Sequence, residues 1–301
     1  MLYQQLNGFL YHQLLMPHCA EFTLADVTIA LQTPRPVATT ENFRPFAGGG
    51  GRRRVMVEVR EIARLPELHT APVFGNILFS VFPDGDGYLR RYHDHKEHDR
   101  PYAVTRLLPE ENRVRVDYLA GDDAFFCESQ NCFSHIALEE LLLYHDRLIL
   151  HASFVDTGFG GLLFSGPSGI GKSTQADLWE QHAGAQLING DKTLLSPESS
   201  GWWAHGSPYA GSSRCFVNRS VPLRAVVMLE QGAVCVLRRL PAGEAFRKLY
   251  ANTIVNSWNA DYVARTCALL TELAACVPVY QLTCTPDKAA VDTLRAELTK
   301  G

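Results

Sequence analysis

The stretch FSGPSGIGKSTQADLW, which runs from Phe164 to Trp179, constrains the fold of this 301-residue chain more than any other segment. The apolar run GLLFS leads into it and indicates a strand, and the pattern STQADLWEQH at its far end has the spacing of a helix. Between strand and helix, the Walker A spacing G-x-x-x-x-G-K-[ST] is met by Gly166, Gly171, Lys172 and Ser173. The sequence therefore predicts a strand, a tight glycine loop and a helix in direct succession.

The residue types in this loop suit a phosphate ligand. Glycines let the backbone turn tightly, so that successive N–H groups point at phosphate oxygens, and the helix N-terminus adds a favourable dipole. Lys172 supplies a positive charge for the β and γ phosphates, and the Ser173 hydroxyl is the expected Mg²⁺ ligand, with Thr174 as the fallback. We therefore expect ATP and Mg²⁺ as cofactors, although this pattern does not distinguish ATP from GTP. The expected contacts are Gly166, Ser168, Gly169, Ile170, Gly171, Lys172, Ser173 and Thr174.

A carboxylate near the same metal is expected from the segment AQLINGDKTLL. Gln186 to Ile188 indicates a buried strand that ends at Asp191, and a strand packed beside the glycine loop would place this carboxylate near Mg²⁺. Asn-Gly is also a strong turn dipeptide, so an ordinary turn aspartate is the alternative. The position after the loop and helix favours Asp191 as the second metal ligand.

Composition and charge narrow the class of protein. The chain is 46% hydrophobic, which is enough for two modest cores, and its net charge of −4 is spread along the sequence. This mixed charge argues against nucleic-acid and membrane partners, and a homo-oligomer is compatible with it. The eight cysteines form no CxxC pair, and neither a secretory signal nor an apolar run of about 18 residues is found. We expect a cytoplasmic protein with reduced thiols.

The chain divides into two predicted domains. Alternating apolar and polar residues in EFTLADVTIALQTP, VMVEVREI and RVRVDYL indicate strands, and helical spacing begins only near Ser134. We therefore predict a β-rich N-terminal domain over residues 1–130 and a nucleotide-binding domain over residues 131–301. The stretch AGGGGRRR, Ala47 to Arg54, is interpreted either as a solvated hairpin tip or as a contact for an anionic ligand.

Two helix starts are predicted from capping residues. Ser134 precedes the helical pattern of SHIALEELLLYHD and is expected to cap it. In TPDKAAVDTLRAELTK, Thr285 is the expected cap and Pro286 the first helical residue.

The segments LHASFVDTGFGGLLFSGPSGIGKSTQADLW and LINGDKTLL together resemble the nucleotide-binding core of HPr kinase/phosphorylase and of other phosphoenolpyruvate-carboxykinase-like kinases. The resemblance covers about residues 134 to 240 and is nearest to the HPr-kinase-like proteins of modified-peptide biosynthesis. It implies an α/β fold with a phosphoenolpyruvate-carboxykinase-like P-loop core, preceded by a separate β-rich domain. One difference is that Gly190 precedes Asp191, where HPr kinase has paired acids.

The resemblance also implies roles for three side chains. Asp191 is expected to bind the metal or to act as catalytic base, and His151 to hydrogen-bond that carboxylate, with a buried structural histidine as the alternative. Arg214, in a glycine- and serine-rich loop that also carries Arg219, is expected to stabilise charge on the transferred phosphate. The implied reaction is transfer of the γ-phosphate of ATP to a hydroxyl of a peptide, protein or small metabolite. A nucleotide-binding regulatory or scaffold protein without phosphotransfer remains the alternative.

Overall fold

A computed structural model describes residues 17–94, 96 and 100–300 of the chain. The first 16 residues, on which part of the expectation about a secretory signal rests, lie outside this range. The described residues form a mixed α/β protein with two large sheets, and they separate into one compact unit that ends at Leu141 and another that begins at Leu142.

The first unit is rich in strands. Their bounds are β1 (His18–Leu24), β2 (Val27–Thr33), β3 (Arg53–Ile62), β4 (Phe74–Gly75), β5 (Phe79–Asp84), β6 (Gly87–Asp94), β7 (Arg100–Leu108) and β8 (Arg113–Leu119). The sheet order is β1-β2-β3-β8-β7-β6-β5-β4. β3 is parallel to both of its neighbours, whereas the other pairs are antiparallel. Alternate residues of β3, such as Val55 and Val57, are buried, because successive side chains of a strand point to opposite faces.

The described residues up to Leu141 group with the first unit, and the domain boundary that we predicted near residue 130 stays a prediction. Helix α1 (Ser129–Ser134) belongs to the first unit because its Phe133 packs on Phe22, with ring centroids 5.3 Å apart, and on Phe43, at 4.5 Å. The apolar side of this helix is therefore part of the first core, which the change of period in the sequence does not reveal.

Ser134 does not cap a helix. It is the last residue of α1, and its hydroxyl donates back to the carbonyl of Gln130 at 2.9 Å. Helix α2 (Leu138–Tyr144) begins only after Ala137, whose φ of +51° interrupts helical geometry.

The arginines of AGGGGRRR are paired with carboxylates. Arg52 and Arg53 lie 2.5 and 3.9 Å from the Asp26 carboxylate, and Arg54 lies 2.5 Å from Glu21. The segment runs into β3, which begins at Arg53 and is parallel to β2, so it is not a hairpin tip. The acids that bind these arginines come from the turn and strand of a separate hairpin, and a contact with an anionic ligand stays a prediction.

The second unit contains a further sheet and four helices within the described residues. Its strands are β9 (Leu148–Asp156), β10 (Gly161–Ser165), β11 (Gln186–Asn189), β12 (Lys192–Glu198), β13 (Gly201–His205), β14 (Ser220–Gln231), β15 (Val236–Arg239) and β16 (Val279–Cys284). Its helices are α3 (Lys172–Ala183), α4 (Ala242–Asn252), α5 (Ala260–Cys276) and α6 (Lys288–Leu298).

Three strands of this sheet are parallel and define one edge. The order is β10-β9-β12-β13-β14-β16-β15, with β11 paired to β9 and an additional pairing of β10 with β14. β10, β14 and β16 run parallel to one another, so their carboxyl ends meet at the same edge. Ligands of α/β proteins bind at such an edge.

Both faces of β10 are buried. Leu162 and Phe164 pack in one apolar cluster with Trp179 of α3, whereas Leu163 belongs to the cluster on the other face, with residues of α4 and α5. Complete burial of one such side chain contributes about 1.5–3 kcal/mol. This packing fixes the end of β10, from which the glycine loop departs.

Helix α6 is capped by Asp287 and not by Thr285. The Asp287 side chain accepts from the amide of Ala289, and the Thr285 hydroxyl donates to Asp287 at 2.6 Å. The carboxylate is a stronger acceptor than the hydroxyl, so the helix begins two residues later than we predicted. Throughout the described ranges, no helix has the length and apolar character needed to cross a membrane.

Candidate functional site

A loop of six residues, Gly166 to Gly171, connects β10 to α3 and is called the glycine loop below. Gly166, Gly169 and Gly171 have φ values of +143°, +79° and +110°, which side-chain-bearing residues rarely adopt. At Gly166 an added Cβ would also lie 3.3 Å from Ile170 Cγ2. The order of strand, glycine loop and helix follows the one expected from the sequence.

The glycine loop presents donors and a positive charge. No side chain caps α3 at Gly171, so its first-turn amides have no partner within the helix. The Lys172 ammonium donates to the carbonyls of Gly166 at 3.0 Å and Pro167 at 3.2 Å, which holds it over the loop. The hydroxyl-bearing residues Ser173 and Thr174 are exposed at the start of the helix. Such a loop suits an anion.

Strand β9 links the glycine loop to Asp191. The Ser165 hydroxyl, directly before the loop, donates to the His151 carbonyl at 2.7 Å, and the Ala152 amide donates to the Asp191 carbonyl at 2.8 Å. Asp191 lies between β11 and β12, both of which pair with β9. We expected its strand to pack directly beside the loop strand; instead β9 intervenes, and two strand spacings amount to about 10 Å.

His151 lies beside the Asp191 carboxylate. Its Nδ1 is 3.8 Å from Asp191 Oδ1, which is within ion-pair range and beyond hydrogen-bond range. The exposed fractions of the two side chains are 43% and 36%. His151 is therefore not a buried structural histidine, and the expected hydrogen bond to the carboxylate is absent in this conformation.

Asn189 is a site residue that sequence reasoning missed. Its buried side-chain amide donates to the carbonyls of Ser207, at 3.0 Å, and Tyr209, at 3.3 Å, while its oxygen accepts from the Asp191 amide at 3.0 Å. The last of these bonds is an Asx turn, which the sequence N-G-D suggests. The bonds to Ser207 and Tyr209 join residues distant in sequence and have no local signal.

Small residues allow the loop after β13 to pack against Asp191. A Cβ at Gly190 would lie 2.5 Å from Ser213 Cβ and closer still to its Oγ. At Gly211, with φ of +56°, a Cβ would lie 3.0 Å from Asp191 Cβ. A second acid at position 190 is therefore incompatible with this loop conformation.

Arg214 comes directly after the segment that packs against Gly190 and Asp191. It is exposed, adopts φ of +52° and has no hydrogen-bond or ion-pair partner among the residues that the structure describes. Arg219 is engaged elsewhere, since it lies 2.6 Å from the Asp156 carboxylate and 2.7 Å from the Gln186 side-chain oxygen. Of the two arginines considered from the sequence, Arg214 is the one available to a ligand.

The donors at the site suit a metal only in part. Among the described residues, no three His, Cys, Asp or Glu side chains form a cluster that would hold a metal ion. Ser173 and Asp191 offer a hydroxyl and a partly exposed carboxylate, and Mg²⁺ typically binds one or two such oxygens together with substrate phosphates and water. Each of the two groups is therefore of a kind that Mg²⁺ accepts when it arrives with a phosphate ligand.

A cavity of about 360 Å³ adjoins the glycine loop at the carboxyl ends of β10, β14 and β16. Its lining consists of Gly169, Ile170, Gly171, Thr174, Gln175, Leu229, Glu230, Gln231, Gly232, Cys284, Thr285 and Pro286. Except for the residues of the loop and helix start, none of these was singled out as a ligand contact from the sequence.

Comparisons with known proteins give distant structural similarity only. No family model matches the chain, and no curated protein matches its sequence. Among solved structures, the chain is similar to the Hpr(Ser) kinase/phosphatase from Coxiella burnetii, with 14% identity and a TM-score of 0.31. The match covers 50% of this chain and 94% of that one. This is a distant structural relation, too weak to assign an activity.

Proposed function

We propose that the protein is an ATP-dependent kinase that transfers the γ-phosphate to a hydroxyl of a peptide, a protein or a small metabolite. The observation that carries the proposal is the link across β9 between the glycine loop and the His151–Asp191 pair. A phosphate-binding loop alone suits many nucleotide-binding proteins, whereas a partly exposed carboxylate on the far side of β9 would supply the acceptor for a proton.

The glycine loop would bind the triphosphate. Its amides and the first turn of α3 would donate to phosphate oxygens, and Lys172 would exchange its carbonyl partners for the β and γ phosphates. Ser173 and Asp191 would hold Mg²⁺, which neutralises charge on the phosphates when it is bound.

The Asp191 carboxylate would accept the proton of the acceptor hydroxyl. The hydroxyl oxygen then forms a bond to the γ-phosphorus as the bond from that phosphorus to the β–γ bridging oxygen breaks, and ADP leaves with the electron pair. His151, whose Nδ1 lies 3.8 Å from Asp191 Oδ1, would stabilise the negative charge of that carboxylate. Arg214 would donate hydrogen bonds to the oxygens of the transferred phosphoryl group.

The acceptor would lie against the loop that runs from Ser207 to Arg214. Its small residues leave room for a ligand, and Lys192 lies at its edge with its ammonium 5.4 Å from the centre of the Tyr209 ring. These features accommodate either a peptide or a metabolite, so the class of acceptor has to be measured.

The test is incubation with γ-labelled ATP, Mg²⁺ and fractionated lysate, followed by sizing of the labelled product. We expect Lys172→Ala and Asp191→Asn each to reduce transfer at least ~100-fold, in the range found for removal of an electrostatic or acid–base group. Matched controls are Lys288→Ala and Asp292→Asn, an exposed pair on α6, which should transfer at the wild-type rate. Undiminished transfer by the first two variants would refute the assignment.

The same experiment separates the alternative. ATP binding without a labelled product in any fraction would favour a regulatory or scaffold protein, in which nucleotide changes the affinity for a partner.

A further inference from the structure

The cavity beside the glycine loop has a composition unlike that of the loop. Among the described residues that line it there is no lysine, arginine or histidine, and the one charged group is the Glu230 carboxylate, to which Gln281 and Thr283 donate. Ile170, Leu229 and Pro286 supply apolar surface. A carboxylate repels phosphate, so the cavity suits an uncharged part of a ligand.

Gln175, a residue of the cavity lining, has a buried side-chain oxygen that finds no partner in the described part of the chain. Gln175 is 2% exposed, and its Nε2 donates to Cys284 Sγ at 3.4 Å. Burial raises the pKa of the Cys284 thiol to about 11, so the thiol is uncharged at neutral pH. Gln175 Oε1 has no hydrogen-bond partner among the described residues. A buried polar atom is rarely left unpaired, and a ligand that donates to it would satisfy it.

The cavity is continuous with the glycine loop. Gly169, Ile170 and Gly171 belong to both, and Gln175 lies three residues after Lys172, about one helical turn away. A ligand with its phosphates on the loop therefore has its next portion at the cavity. The volume of about 360 Å³ lies in the usual range for small-molecule sites, about 300–1,000 Å³.

We propose that this cavity binds the adenine base of the nucleotide and that Gln175 Oε1 accepts a hydrogen bond from the 6-amino group, which makes the protein selective for ATP over GTP. Adenine carries a donor at that position, whereas guanine carries a carbonyl oxygen, which would face another acceptor. The inference rests on the proposed function only in that the phosphates occupy the glycine loop.

The test is calorimetry with Mg²⁺ and four ligands: inorganic tripolyphosphate, ATP, GTP and the triphosphate of purine riboside, which lacks the 6-amino group. We expect ATP to bind more tightly than tripolyphosphate and about tenfold more tightly than the other two nucleotides, the effect of one buried hydrogen bond. Gln175→Met, similar in shape without the amide, should lower ATP affinity about tenfold and leave tripolyphosphate affinity unchanged. The matched control Gln186→Met, on exposed β11 surface outside the cavity, should preserve the preference.

Each failure has a distinct pattern. If ATP, GTP and the purine analogue bind equally, or no more tightly than tripolyphosphate, the adenine site is refuted while the glycine loop remains a phosphate site. If tripolyphosphate and all three nucleotides fail to bind, the proposed kinase function is refuted as well. If Gln175→Met does not fold, the comparison of the ligands on the wild-type protein decides the question.

Discussion

Gly190→Ala tests whether the loop after β13 must pack closely on the strand turn that carries Asp191. The backbone of Gly190 does not lie in the left-handed region, so alanine adds no conformational strain there. Its Cβ would meet Ser213 Cβ at 2.5 Å and the Ala210 carbonyl oxygen at 3.0 Å. The segment from Gly211 to Arg214 therefore has to move.

The size of the effect follows from these contacts. Overpacking a close contact costs about 1–3 kcal/mol, and displacement of Ser213 breaks its hydroxyl bond to the Ala210 carbonyl, worth about 1 kcal/mol. Replacing glycine by alanine restricts the unfolded chain, which offsets about 0.5–1 kcal/mol. We expect a net destabilisation of about 2 kcal/mol, or roughly 4–8 °C in the melting temperature of a unit of this size.

Tryptophan fluorescence is a suitable assay because all four tryptophans lie after Leu142, within the second unit. Ser213→Gly removes the obstructing atoms, so the double variant should recover part of the loss, and a double-mutant cycle gives the coupling energy. Gly243→Ala is the control, since its Cβ would meet only the end of Arg247, at 4.0 Å in helix α4. Wild-type stability of Gly190→Ala, or no coupling to Ser213→Gly, would refute the packing argument.

Three further predictions concern single substitutions. Asn189→Ala, which removes the donor to the Ser207 and Tyr209 carbonyls, should lower the free energy of unfolding by about 2–3 kcal/mol in the fluorescence assay, and an unchanged value would contradict its positioning role. Gly171→Ala adds a Cβ that meets open space, so only the backbone strain at φ of +110° should lower the free energy of unfolding, by about 1–3 kcal/mol. The same strain should weaken tripolyphosphate binding in calorimetry, and unaltered binding would show that the loop conformation is not required. Burial lowers the pKa of His135 from 6.5 to about 4, so about 3 kcal/mol of the free energy of unfolding present above pH 6.5 should be lost as the pH falls toward 4. In urea unfolding followed by circular dichroism, the free energy of unfolding of His135→Gln should fall less steeply with pH than that of the wild type. The same pH dependence in both proteins would refute this.

Local features of the second unit were predictable from the sequence, whereas boundaries and caps were less so. The glycine loop, its flanking strand and its helix occur where the residue pattern places them, because each depends on neighbouring residues. The helix start expected at Ser134 was wrong, because Ala137 interrupts the helix and Phe133 belongs to the first core. Likewise, Asp287 caps the helix in place of Thr285, because both residues are favourable N-cap types two positions apart and the sequence does not show which of them accepts the hydrogen bond.

The sequence by itself determined the glycine loop and the residue types available for its chemistry, because turn and helix preferences act between near neighbours. Only the tertiary structure decided that His151 Nδ1 stays 3.8 Å from Asp191 Oδ1, that Gly190 has to be small, and that the buried oxygen of Gln175, a residue of the cavity lining, finds no partner among the described residues. Each of these depends on strand pairing or loop packing between segments far apart in the chain. Such contacts are set by the shape of the whole core, for which no local pattern exists.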